Sequence, residues 1–174
     1  AGVSRAWLAD DQAGTRPTWT IFNIGDARVY LLRGDMLSQV TRDHSRVQIL
    51  IETGELTPEQ ARRDSRRNVV TRALGGGIAD SAVPDLYSVP VAAGDRLLIC
   101  SDGLSDELDD EAIATVLAAG RTAQRTAELL VAASLEGGGH DNTTAVVVDA
   151  LQVPDLPPTA HTSRPGGASS QGAQ

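Results

Sequence analysis

Leu97-Leu98-Ile99-Cys100-Ser101-Asp102-Gly103-Leu104 decides the fold. Four apolar residues and a serine lead straight into Asp-Gly, the pattern of a buried strand ending on a carboxylate. The arrangement returns in Gly137-Gly138-Gly139-His140-Asp141-Asn142-Thr143, just before the strand-like run 144–148. A further aspartate sits in Gly25-Asp26, between the hydrophobic runs 19–24 and 28–33. Aspartates at strand edges, each close to glycine, point to carboxylates gathered at one rim of a β-sheet. Mg²⁺ and Mn²⁺ prefer carboxylate and water oxygens, so such a rim suits a hard divalent ion.

The 174-residue length fits one domain with a real core. Aromatic residues are only 3%, so that core must rest on Leu, Val, Ile and Ala. A formal net charge of -8 argues against a nucleic-acid surface or an anionic membrane as partner. All 15 basic residues are Arg, which reads as base composition rather than function. Cys100 lies inside an apolar run and reads as a small buried hydrophobe. One cysteine cannot make an internal disulfide, so a reducing, cytoplasmic setting is expected. No apolar stretch has the length of a membrane span, and the first residues carry no signal-peptide pattern.

Residues 1–17 are small, polar and weakly patterned, and read as a short lead-in: a linker or the tail of a strand. The runs 19–24 and 28–33 read as strands joined by Gly25-Asp26-Ala27, and Gly34-Asp35 turns the chain into 36–40, giving a β-meander. Residues 47–52 have helical character, with Gly54 as a stop. Thr57-Pro58-Glu59-Gln60 is a capping-box start for a second, apolar-poor helix, which reads as a mobile excursion. Strand character resumes at 68–74, 86–91 and 96–101. Asp109 or Asp110 caps a helix to Ala118, and Thr122 caps another with Gly137 past its end. The run 143–150 is a last buried strand. Strands followed by helices, rather than strict alternation, make the class α+β. From Pro154 the composition is Pro, Gly, Ser, Thr, Ala and Gln, so 154–174 is expected to be a disordered tail.

Taken alone, Asp102-Gly103 and Gly25-Asp26 read as hairpin turns, and Asp141-Asn142 as the opening of a strand after a glycine-rich loop. The ordered set of blocks is more specific. Asn23-Ile24-Gly25-Asp26-Ala27-Arg28-Val29-Tyr30, Thr41-Arg42-Asp43-His44-Ser45, Val70-Thr71-Arg72-Ala73-Leu74-Gly75, Ser101-Asp102-Gly103-Leu104-Ser105-Asp106 and Gly138-Gly139-His140-Asp141-Asn142-Thr143 follow one another. Together they resemble the metal-dependent protein serine/threonine phosphatases of the PPM, or PP2C, family, bacterial type. The resemblance covers about 19–149.

What it implies is a four-layer α-β-β-α sandwich with antiparallel sheets, here incomplete at the N-terminus. Residues 18–153 would be the C-terminal two-thirds of the phosphatase domain, with a flap at about 50–72. The implied activity is hydrolysis of phosphoserine and phosphothreonine in proteins by a hydroxide activated between two metals. Asp102 and Asp141 would hold one ion of the Mn²⁺ or Mg²⁺ pair. Asp26 and Asp106 match positions of a third, weaker metal, with Asp102 shared. The implied partners are phosphorylated proteins, together with a Ser/Thr kinase and its substrates, with no nucleic acid and no membrane. Arg62, Arg63, Arg66 and Arg67 read as a solvated helix face, the alternative being a surface that steers an acidic phosphopeptide. His44 is expected to order the turn before the first helix, and His140 to face solvent.

The family also has an Asp-Gly-x-Gly-Gly block, whose aspartate bridges the two ions, and this sequence contains none. Impaired hydrolysis is therefore expected of the chain. The other reading is a catalytically inactive, phosphatase-like interaction module.

Overall fold

Residues 29–32 are buried one after another, so the strand that carries them, β3 (Arg28–Arg33), has core on both faces. In this computed structural model, which describes residues 2–10, 14–75 and 83–153, β3 lies inside a four-stranded antiparallel sheet. Its other strands are β4 (Met36–Gln39), β6 (Arg96–Cys100) and β7 (Ala145–Asp149), in the order β4-β3-β6-β7. A second antiparallel sheet is made by β1 (Gly2–Asp10), β2 (Gly14–Asn23) and β5 (Asp85–Pro90), in the order β1-β2-β5.

The period of two along β3 and β6 divides the core. Val29, Leu31 and Leu97 pack with Trp19 and Ile21 of β2 and with Tyr87 and Val89 of β5, filling the space between the sheets. Tyr30, Leu32, Leu98 and Cys100 point the other way, onto Ile113, Leu117 and Leu130. Those three belong to α4 (Asp110–Ala118) and α5 (Ala123–Gly137), capped by Asp109 and Thr122 as the sequence suggests. Helices, central sheet and second sheet are three layers of the α-β-β-α sandwich. The far side of the second sheet exposes the register pair Phe22 and Leu86, and no helix among the described residues covers it.

Several expectations are corrected. Residues 19–33 do not form a meander, because β2 and β3 lie in different sheets. Gly25-Asp26-Ala27 is a crossover rather than a hairpin turn; Gly25 is buried with φ 101°, and its amide and carbonyl bond to His44 rather than across a strand pair. Of the expected meander, the β3–β4 hairpin is what forms. Residues 68–74 are not a strand; a single bridge, Ser45 to Val70, ties them to the start of the first helix. The 1–17 lead-in contains β1, which pairs along its whole length with β2, itself begun at Gly14. The expected tail, 154–174, lies outside the described residues.

The segment between β4 and β5 holds α1 (Arg46–Glu52), capped by Ser45, and α2 (Pro58–Ala61), whose Thr57–Gln60 capping box forms in full. Its two ends meet: the Arg46 amide donates to Val69 O at 2.8 Å and the Thr71 amide to His44 O at 2.7 Å. A one-turn helix, α3 (Asp102–Ser105), follows β6 directly. It is too short to give a periodic signal in the sequence.

Candidate metal centre

β6 delivers Asp102 at its C-terminal end, where the backbone turns at once into α3. Asp106 closes that turn, and its amide donates to Asp102 O at 2.8 Å. Asp26 comes from the β2–β3 crossover. These three aspartates line one cleft of about 550 Å³ between the central sheet and the α1–α2 segment, together with Arg28, Asp43, Ser105 and Asp109.

Asp141 arrives from the loop between α5 and β7. This loop lies against the Asp102 turn, backbone on backbone. The Ser101 hydroxyl donates to Asn142 O at 3.0 Å and accepts from the Thr144 amide at 3.0 Å, while the Ser101 amide donates to Thr144 O at 3.1 Å. Behind them, Ser134 and Thr143 hydroxyls both reach Gly103 O, at 2.9 and 3.2 Å. A β-carbon on Gly103 would lie 2.6 Å from Asn142 O, so only glycine lets the loops close this far. Asp141 itself is exposed, outside the cleft lining. Asp102 and Asp141 each accept from the next residue's amide, at 2.9 and 2.6 Å, which orients both carboxylates locally.

The electrostatics suit a cation. Burial, then the charge of Asp102, with Asp43 and Asp106 adding, pushes Asp26 above the usual carboxylate range. Burial and Asp102 raise Asp106 as well, against the pull of Arg28, Arg67 and Arg62. Among the described residues no three Asp, Glu, His or Cys side chains converge closely enough to hold an ion between them. In kind the donors fit a hard divalent ion, being carboxylate oxygens that repel one another. In number they fit one that keeps much of its water, as Mg²⁺ does with one or two carboxylates.

Around the rim stand residues the sequence reading left aside. Arg28 holds buried Asp43 through Nε and Nη2, at 3.0 and 2.6 Å, and gives Nη1 to the Tyr30 hydroxyl at 3.0 Å. Both sit in quoted blocks, Arg28 two residues after Asp26 and Asp43 one before His44, but no spacing rule links them. Arg62 and Arg67 are more than a solvated face. Arg62 donates to Ser105 O at 3.4 Å and Arg67 lies 3.9 Å from Asp106, so both reach toward the cleft. Arg66 instead pairs with its neighbour Asp64. His140 faces solvent as expected, 2.7 Å from Glu107. Cys100 is buried, which pushes its thiol up to about 12.

No family model matches the chain. Curated relatives do. The serine/threonine protein phosphatase PstP of Mycobacterium tuberculosis is 43% identical over 131 residues, covering 75% of this chain and 25% of that protein. The serine/threonine phosphatase stp of Listeria innocua is 37% identical over 129 residues, covering 74% of this chain and 50% of that one. A solved structure, the catalytic domain of PstP in complex with two manganese ions, superposes with a TM-score of 0.66 at 40% identity, covering 88% of this chain and 59% of that one.

The chain belongs to the bacterial PPM serine/threonine phosphatases.

It spans half the length of the Listeria relative and a quarter of the mycobacterial one. The PPM frame also accounts for the layers: two antiparallel sheets face to face, helices against the central sheet, and the aspartates at one end.

Proposed function

We propose that this chain carries the carboxylate rim of a phosphatase that hydrolyses phosphoserine and phosphothreonine in proteins with Mn²⁺ or Mg²⁺. Asp102 and Asp141 share one ion of the catalytic pair; Asp26 and Asp106, with Asp102, serve a third, weaker one held largely through its own water shell. The observation that carries this reading is the interlock of the Asp102 and Asp141 loops over Gly103, at the mouth of an acidic cleft. Two manganese ions in the PstP catalytic domain support the choice of metal.

Bound there, the ions supply a lowered pKa for their water and neutralise charge developing on the phosphoryl oxygens. The chain's own groups do the rest. Arg28, fixed by Asp43, keeps a cation beside the rim without moving. Arg62 and Arg67 stand over the cleft, placed to draw in a phosphorylated segment. The cleft, about 550 Å³, has the size of small-ligand sites and admits a phosphorylated side chain. The partners are phosphorylated proteins in the cytoplasm, shared with an opposing Ser/Thr kinase. No helix among the described residues is long and apolar enough to cross a membrane.

A second reading, an inactive phosphatase-like interaction module, draws support from one observation: no three carboxylates converge among the described residues. Hydrolysis of a phosphothreonine peptide by this chain in Mn²⁺, with and without EDTA, separates them, with a PPM domain that carries an Asp-Gly-x-Gly-Gly block as reference. Weak, EDTA-sensitive turnover far below the reference is expected. Turnover at the reference rate contradicts the need for a bridging carboxylate. No turnover at all, with Mn²⁺ bound, favours the interaction module.

A further inference from the structure

His44 is 2% exposed and touches three separate parts of the chain. Its main chain and ring together clamp Gly25: the His44 amide donates to Gly25 O at 3.0 Å, and the Gly25 amide donates to His44 Nδ1 at 3.0 Å. Accepting at Nδ1 fixes the tautomer of the neutral ring, because its one proton must then sit on Nε2. That nitrogen lies 3.1 Å from Asp85 Oδ2, at the first residue of β5, and donates to it. Arg72 donates to the same carboxylate, Nη1 to Oδ1 at 2.6 Å, with that Nη1 itself 3.1 Å from His44 Nε2, so the three side chains form one cluster. The His44 carbonyl accepts from the Thr71 amide, where the α1–α2 segment returns.

Gly25 immediately precedes Asp26, and its buried amide and positive φ leave it little alternative geometry. The Asn23 side-chain amide adds a further bond to Gly25 O, at 3.0 Å. Both polar groups of the Gly25 backbone are therefore committed, and it is the ring of His44 that accepts from its amide. The relay runs from β5 of the second sheet through an imidazole to the backbone that aims a carboxylate at the rim. A carboxylate–histidine pair of this kind holds a ring in one orientation and, through it, what the ring touches.

We infer that His44 is a positioning residue: fixed by Asp85, it holds the Gly25 peptide so that Asp26 faces the metal rim, and it ties that placement to the end of the α1–α2 segment at Thr71 and Arg72. The inference rests on the proposed reading of Asp26 as a metal ligand.

Two substitutions separate the ring's two bonds. His44→Asn places an amide oxygen near Nδ1 and keeps an acceptor for Gly25. His44→Gln reaches toward Asp85 but offers Gly25 no acceptor there. The full chain, labelled with ¹⁵N, is titrated with Mg²⁺ alone, and amide exchange at Gly25 is followed in parallel. His44→Asn is expected to keep Gly25 protected and Mg²⁺ affinity near that of the unsubstituted chain. His44→Gln is expected to lose that protection and to bind Mg²⁺ about tenfold more weakly, the scale of outer-shell losses at metal sites. Equal weakening by both variants overturns the assignment, since it marks a general packing role. Asp26→Ala is run alongside. If it weakens Mg²⁺ while His44→Gln does not, the His44 role alone fails. If Asp26→Ala leaves Mg²⁺ affinity unchanged, the reading of Asp26 as a ligand fails.

Discussion

The carbonyl oxygen of Asn142 lies 2.6 Å from the point where a β-carbon on Gly103 would stand. Backbone meets backbone there, so neither side can give by rotating a side chain. Gly103 follows Asp102 and Asn142 follows Asp141, so one close approach fixes the spacing of two proposed ligands. Gly103→Ala is expected to lower stability by about 2 kcal/mol through overpacking and to weaken Mn²⁺ binding more than its effect on melting suggests. Thermal melts with and without Mn²⁺ measure both.

Ser134, fully buried on α5, donates its hydroxyl to Gly103 O at 2.9 Å. Thr143 reaches the same carbonyl at 3.2 Å, so removing Ser134 leaves the oxygen a partner. Ser134→Ala is therefore expected to cost only about 1 kcal/mol, the net worth of one hydrogen bond. The double variant with Thr143→Val strands the carbonyl and is expected to cost more than the sum of the two singles. Urea unfolding of the three variants tests this.

Asp95, 1% exposed, accepts from Arg33 Nε and Nη2 at 2.7 Å each and from the Ala92 amide at 2.8 Å. Burial works to raise its pKa, but these bonds outweigh it and hold the carboxyl below its usual value. An acid depressed in the folded state binds fewer protons there than in the unfolded chain. Its stabilisation is present above the unfolded pKa of about 4 and fades as pH falls through the folded value. Asp95→Asn is expected to destabilise the chain by about 2 kcal/mol at neutral pH, as loss of hydrogen bonds to a charged group does. The gap to the unsubstituted chain should narrow steadily in acid. A gap independent of pH would show that the charge contributes nothing.

Much of this fold is legible from local chemistry. Asp109 and Thr122 cap their helices as side-chain acceptors, and Gly34-Asp35 turns the β3–β4 hairpin. The Gly25-Asp26 crossover is not legible, because the same dipeptide serves a hairpin; what makes it change sheets is His44, nineteen residues away. α3 escapes for want of length, and β1 because its pairing comes from β2 rather than from its own pattern. At the site, aspartates at strand ends show in the sequence as types and positions. Arg28 with Asp43, and Arg67 toward Asp106, do not, since ion pairs across loops leave no periodic trace.

The composition of residues 154–174 offers almost nothing apolar to bury. Cutting the chain after Val153 is expected to leave the melting temperature within error. A drop of several degrees would show that this segment contributes to the folded body.

Mn²⁺ titration calorimetry on the chain and on Asp102→Ala, Asp141→Ala and Asp35→Ala tests the central claim most directly. Asp35 sits in the exposed turn between β3 and β4, away from the rim. The account predicts that Asp102→Ala and Asp141→Ala each weaken Mn²⁺ by at least about tenfold, and that Asp35→Ala leaves it unchanged. Equal weakening by Asp35→Ala and Asp102→Ala, or full affinity in Asp141→Ala, would contradict it.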